Sequence, residues 1–228
     1  MSERRFDSMR GAAPTIINAS ESHMALVFVL DVSYSMDGPP IEQLNEGLNR
    51  FKEEVCQDKQ TRDILDVAII QFNENYSVVQ DFVPIEYMEY IELIAEGGTM
   101  YTAPIREALR MADERSRFYR RSGTEPYKPW IILVTDGAPL DDISAVTQEI
   151  ADMQDAEKIR FIALGVGDYD SATLKRLTDV VFRMDGTDFS SFFNWVGKSM
   201  RSVSTTAPGE KAPLPPLEGN VYRDVSDI

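Results

Sequence analysis

Five oxygen-bearing side chains in three separate stretches could share one ligand: Asp31, Ser33 and Ser35 in VFVLDVSYS, Thr99 in EGGTMYT, and Asp136 in IILVTDG. Two carboxylates and three hydroxyls, with no nitrogen or sulfur donor beside them, are the donor types of a hard divalent cation. Magnesium is the simplest choice, with manganese or calcium as alternatives. Two carboxylates roughly balance a divalent charge, and neutral hydroxyls add oxygens without over-neutralising it. A cation held in this way stays electrophilic, so an open coordination position attracts a carboxylate from outside. Each stretch alone has a plainer reading, since serines cap helices and form turns and Asp136-Gly137 is a turn dipeptide.

Convergence requires elements that bring the three stretches together. MALVFVLD, from Met24 to Asp31, is a continuous apolar run ended by a charge, as in a strand covered on both faces. Alternate residues leaving such a strand point the same way, so Asp31, Ser33 and Ser35 can aim at one point. Similar buried runs occur at Ile64 to Phe72, Trp130 to Thr135 and Ile159 to Val166, with a short final one at Val180 to Met184. Tyr76 to Val83 alternates more and follows Asn73-Glu74-Asn75, which predicts a hairpin with an antiparallel edge strand. Apolar residues at helical spacing predict helices over Ile41 to Asp58, Thr102 to Tyr119, Asp141 to Met153, Ala172 to Leu177 and Phe189 to Ser202. The segment from Tyr87 to Ala95 fits either a short strand or a helical turn. Strands alternating with helices predict an α/β fold, doubly wound, with a mostly parallel central sheet, one antiparallel edge strand and helices on both faces. In such sheets ligands bind at the carboxyl ends of the strands, where Asp31 and Asp136 both fall.

The first 23 residues are polar and aperiodic and read as a flexible arm, 24–204 as the domain, and the Pro-rich stretch 205–228 as a disordered tail. A net charge of −15 argues against nucleic acid and against anionic membrane surfaces as partners. A single cysteine, Cys56, excludes a disulfide framework; with no signal-like h-region in the first residues, a cytoplasmic location is expected. Cys56 reads as inert. His23, the only histidine, reads as solvated on the arm and leaves no base for a Ser-His-Asp hydrolase. A metal-dependent phosphatase of haloacid-dehalogenase type needs a second carboxylate two residues after the first, and that position holds Ser33. Arg115, Arg117, Arg120 and Arg121 read as a solvated helix end. Phe189, Phe192 and Phe193 read as core, with Trp195 off the main stripe and partly exposed. Tyr34, Asp37, Met100, Tyr101 and Asp141 would flank the metal and shape partner specificity. Glu218, Asp224 and Asp227 of the tail are candidates to dock on the metal as an inhibitor.

DVSYS, GGT and TDG, in that order, resemble the metal-ion-dependent adhesion site of von Willebrand factor A domains, with no ligand position missing. The resemblance runs from about Met24 to Ser202. It implies a non-enzymatic binding module in which Ser33 and Ser35 contact the metal directly. Asp31 and Asp136 would do so directly or through water, Thr99 would join when ligand is bound, and a partner's Glu or Asp would complete the shell. LDVSYSMDGPPIEQLNEGL and the closing FFNWVGKSMRSVS are most similar to bacterial tellurite-resistance-associated TerY-type proteins. That resemblance implies a protein kinase and a metal-dependent protein phosphatase as associates, in a stress or phage-defence setting.

Overall fold

Every backbone group of a strand buried on both faces must be paired by a neighbouring strand, and the apolar runs meet that demand in one sheet. In the computed structural model, which describes residues 21–225, the chain runs β1 (Met24–Asp31), α1 (Pro39–Cys56), α2 (Lys59–Ile64), β2 (Leu65–Phe72), β3 (Tyr76–Pro84), α3 (Thr102–Arg121), β4 (Trp130–Thr135), α4 (Ser144–Asp155), β5 (Arg160–Val166), α5 (Ser171–Leu177), β6 (Val181–Met184), α6 (Ser190–Ser204) and β7 (Val221–Arg223). The sheet order is β3-β2-β1-β4-β5-β6-β7. β1, β2, β4, β5 and β6 are parallel, and β3 is the expected antiparallel edge.

The two sheet faces feed two cores. Leu26, Phe28 and Leu30 pack with Leu44, Leu48 and Phe51 of α1 and with Phe192, Phe193 and Val196 of α6. Val27 and Val29 face the other way, onto Ile105 and Ala108 of α3, Val146 and Ile150 of α4 and Leu174 of α5. Burying each such side chain contributes about 1.5–3 kcal/mol relative to leaving it in water. The chain winds outward from β1 through β2 to β3, then crosses to β4 and winds the other way. The order therefore reverses between β1 and β4, which opens a crevice beyond their carboxyl ends.

Residues 88–95, ambiguous in sequence, are extended and irregular. Asn45 and Asn49, one turn apart on α1, each bond both the N–H and the C=O of one residue: Asn45 serves Leu93 and Asn49 serves Ile91, at 2.8–3.0 Å. Two carboxamides thus replace a neighbouring strand and lead the chain to Gly97. The short helix α2, capped by Asp58 accepting from Thr61, was not foreseen.

Four expectations are corrected. The tail, expected to be disordered, is ordered over its described residues, 205–225. Leu214, Leu217 and Val221 pack on the α1/α6 core, and β7 adds an antiparallel strand to β6 at the sheet's second edge. Proline richness marks flexible linkers, but it also limits the unfolded chain's freedom, so that a strap with a few apolar contacts can order. Trp195, expected to be partly exposed, lies under that strap and donates from Nε1 to Pro215 O at 3.0 Å. Arg115, expected at a solvated helix end, is buried against buried Asp66, 2.7 Å away, with the Tyr119 hydroxyl on the same carboxylate. His23, expected to be solvated, is buried and stacks on Tyr119 at 5.3 Å. Residues 1–20 of the proposed arm lie outside the described residues.

The strap also answers for two of the proposed inhibitory acids. Glu218 pairs with Lys198 at 3.3 Å, and Asp224 accepts from Tyr169 and Ser171 and pairs with Lys175 at 2.8 Å. Neither side chain is among those gathered at the β1/β4 crevice, and Asp227 lies outside the described residues. Truncation after Ser204 is expected to uncover Trp195 and the β6 edge. A red shift of tryptophan emission with a lower urea midpoint is the expected readout; unchanged emission would show that the strap does not cover the indole.

Candidate metal centre

β1 and β4 are neighbours, and their last residues, Asp31 and Thr135, stand on either side of the crevice. Past Asp31 the chain turns back, because the Ser33 N–H donates to Asp31 Oδ1 at 2.8 Å. A single 3-10 turn, Tyr34–Met36, then carries Ser35 across toward Asp136. Ser35 Oγ donates to Asp136 Oδ1 at 2.7 Å, so the 3.1 Å contact between Ser33 Oγ and Ser35 Oγ must take its proton from Ser33. The result is a chain of hydroxyls, Ser33 to Ser35, ending on a carboxylate.

Thr99 enters from a loop bent by Gly97, whose φ of 76° suits glycine. Backbone bonds hold that loop on three sides. Gly97 O accepts from Tyr34 N at 2.9 Å, Thr99 O from Leu140 N at 2.8 Å, and Asn73 O from Met100 N at 2.9 Å. Thr99 Oγ1 faces Gly137, 3.4 Å from where a β-carbon there would stand. These contacts bring the five residues to one crevice, with Asp31, Ser33 and Thr99 buried, Asp136 half-buried and Ser35 exposed.

The electrostatics are those of a site short of positive charge. Burial pushes the Asp31 carboxyl up to about 6, against hydrogen bonds from Ser33 and Thr135 that favour its ionised form, and the negative Asp136 adds to the rise. Burial raises Asp136 as well. Among the described residues no lysine or arginine pairs with either carboxylate. Nor does any group of three or more His, Cys, Asp or Glu gather there as a metal site. An ion held there would take most of its protein oxygens from hydroxyls. Two ionisable oxygen groups lacking a cation, with three hydroxyls beside them, fit a small hard ion.

Sequence reasoning missed one member of the cluster. Thr135, fully buried at the end of β4, donates to Asp31 Oδ2 at 2.5 Å. Its signal was present, as a threonine closing an otherwise apolar strand. Tyr101, expected to face a partner, is fully buried instead, and its ring packs edge-on against Phe72. Its hydroxyl lies 2.9 Å from Thr135 Oγ1 and 2.7 Å from Gly137 O. Since Thr135 gives its proton to Asp31, the Tyr101 proton is shared between Thr135 and Gly137, which ties the Asp136-Gly137 turn to β4. Asp141 is likewise engaged, accepting from the N–H groups of Tyr101 and Thr102 at 2.9 and 2.8 Å, where its charge suits the start of α3. Tyr34, Asp37 and Met100 are exposed.

Comparison with known proteins agrees with this architecture. None of the curated proteins matches the chain. Among solved structures, a von Willebrand factor type A protein from Catenulispora acidiphila is similar at 18% identity and a TM-score of 0.59, over 79% of this chain and 43% of that one. The pilus adhesin SpaC from Lactobacillus rhamnosus GG is similar at 16% identity and a TM-score of 0.66, over 84% and 31%. The vWF domain of the type V pili tip protein Mfa5 from Porphyromonas gingivalis is similar at 11% identity and a TM-score of 0.60, over 83% and 99%. The chain thus spans less than half the length of the first two. At these identities the likeness shows the fold. The model of the von Willebrand factor type A domain matches residues 25–194, most of the chain, and the protein belongs to that family.

Proposed function

We propose that the chain is a binding module, not an enzyme, which holds one magnesium ion on Asp31, Ser33, Ser35, Thr99 and Asp136 and through it binds a glutamate or aspartate of a protein partner. One observation carries the reading: two carboxylates, both raised by burial, meet in a crevice where no cationic side chain among the described residues pairs with either. A divalent ion would remove that cost, and the Ser33–Ser35 hydroxyls and Thr99 would add oxygens around it. When bound, the ion supplies an electrophilic point for an outside carboxylate. Thr135 and Tyr101 act one layer behind, holding Asp31 and the Asp136-Gly137 turn in place. A binding role is in keeping with the pilus adhesin among the similar structures. Among the described residues no helix is long and apolar enough to cross a membrane.

A finer placement follows from the sequence resemblance alone: an adaptor in a bacterial tellurite-resistance, stress or phage-defence system, between a protein kinase and a metal-dependent phosphatase. Affinity capture tests both levels. Wild type and Asp31→Ala are used as baits, each in magnesium and in chelator. Proteins held by wild type in magnesium and lost from both the variant and the chelated sample are the expected partners. A partner retained equally in all four samples would rule out metal-bridged recognition.

A further inference from the structure

The rim around the crevice has its own chemistry, and it narrows which acidic segments can dock. The bonds that hold the Gly97–Met100 loop also place apolar side chains around Thr99. Tyr34 and Leu140 are 72% and 73% exposed, and Met100 is 37% exposed. Large apolar side chains grouped beside a binding centre mark a contact surface more than scattered ones do. Leu140 Cδ1 and Glu74 Cγ lie 3.0 and 3.2 Å from where a β-carbon on Gly98 would stand, so both overhang the residue before Thr99.

Met100 also lines a groove of about 410 Å3 between the β2–β3 hairpin and the start of α3. Its ionic residues are Glu74, Glu107, Asp141, Arg106 and Arg110. Four of these are already matched. Arg110 bonds Glu107 and Glu114, each at 2.6 Å, Arg106 bonds Glu149 at 2.7 Å, and Asp141 accepts the α3 N–H groups. Glu74 is exposed and makes no ion pair among the described residues. The groove's unmatched charge is therefore negative, on a chain whose net charge is −15.

We propose that the docking segment, on the binding-module reading above, carries a single carboxylate for the metal, an apolar neighbour seated on Tyr34 and Leu140, and a cationic side chain that runs over Met100 into the groove toward Glu74. The metal attracts one acid, while Glu74 and the surrounding negative field repel a second. A run of acidic residues is thus rejected, although the metal alone would favour it.

The test uses the full chain in magnesium and four biotinylated peptides displayed densely on beads, so that avidity makes weak binding readable. The parent peptide is Gly-Leu-Glu-Gly-Arg-Gly; the others replace Arg by Glu, Leu by Ser, or Glu by Gln. The parent is expected to capture at least about threefold more protein than the Arg-to-Glu peptide, the size one exposed charge pair supports. Glu74→Lys should reverse that order while keeping the thermal shift caused by magnesium, and Leu140→Ser should abolish the preference for Leu over Ser. Equal capture of the Arg and Glu peptides, with the Gln peptide and the chelated sample released, overturns the flanking preference and leaves the metal-bridged reading intact. Capture that ignores both the chelator and the Gln substitution overturns that reading itself. Failure of all four peptides to bind overturns the flanking preference.

Discussion

Asp31→Asn is expected to raise the melting temperature of the metal-free protein and to erase the gain that magnesium brings to the wild type. Burial raises Asp31 from 3.8 to about 6. At 1.36 kcal/mol per unit, its charge costs the metal-free fold about 3 kcal/mol at neutral pH. Asparagine removes the charge, and its carbonyl can still accept from Ser33 N, but its amide must bond Thr135 the other way round. A net gain of about 1–2 kcal/mol, or roughly 3–6 °C for a domain of this size, is expected in chelator. Wild type at a hundredfold excess of magnesium over its Kd gains about 2.7 kcal/mol, and the variant gains nothing. Thermal melts of both proteins with and without magnesium measure this. An undiminished metal shift in the variant would remove Asp31 from the ligand set.

The same carboxyl sets a pH dependence with a definite sign. Between 3.8 and about 6 the folded metal-free protein holds a proton on Asp31 that the unfolded chain has released. Stability from this group is therefore fully present below that window and is lost as pH rises through it. The burial-raised Asp136 acts in the same direction. Other groups titrate over the same range, so the quantity to measure is the difference in urea midpoint between wild type and Asp31→Asn in chelator. That difference should widen in the variant's favour from low to neutral pH.

Arg115→Ala is expected to be the most destabilising of these changes and to leave metal-dependent binding intact. Asp66 is 1% exposed, and Arg115 is its cationic partner. Removing one member of a buried pair costs about 3–5 kcal/mol, because a buried charge is left uncompensated. The guanidinium also stacks on Phe82, Phe118 and Tyr119, with centroids 4.9–5.5 Å away, so packing is lost along with the charge. Asp66→Val combined with Arg115→Met removes both charges and should unfold at a higher urea concentration than Arg115→Ala alone. The cluster lies near the start of β2 and the end of α3, away from the strand carboxyl ends where the metal site is proposed. Surviving variant protein should therefore keep its magnesium response, and loss of that response would show that the two ends of the sheet are coupled.

Much of the architecture was legible because buried parallel strands write themselves as unbroken apolar runs, and helices as apolar residues three and four apart. The positions of Asp31 and Asp136 followed from where those runs stop. The same local logic failed wherever a partner distant in sequence supplied the environment. Nothing near Arg115 announces Asp66, which is 49 residues earlier, and nothing near Trp195 announces Pro215 as its cover. The tail's prolines suit both a loose linker and a bound strap, and only the contacts of Leu214, Leu217 and Val221 distinguish the two.

The sequence by itself determined the kinds of candidate donor, their order and the strand ends that carry them, because side-chain chemistry and hydrophobic patterning are local properties. Only the tertiary structure decided which side chains near those donors face outward. Tyr101 is adjacent to Met100, yet it is buried beneath the site while Met100 stands on its rim. That choice depends on Thr135 and Gly137 crossing from another strand to take the Tyr101 hydroxyl. The need to pair a buried polar group with atoms far along the chain is a demand that local sequence cannot express.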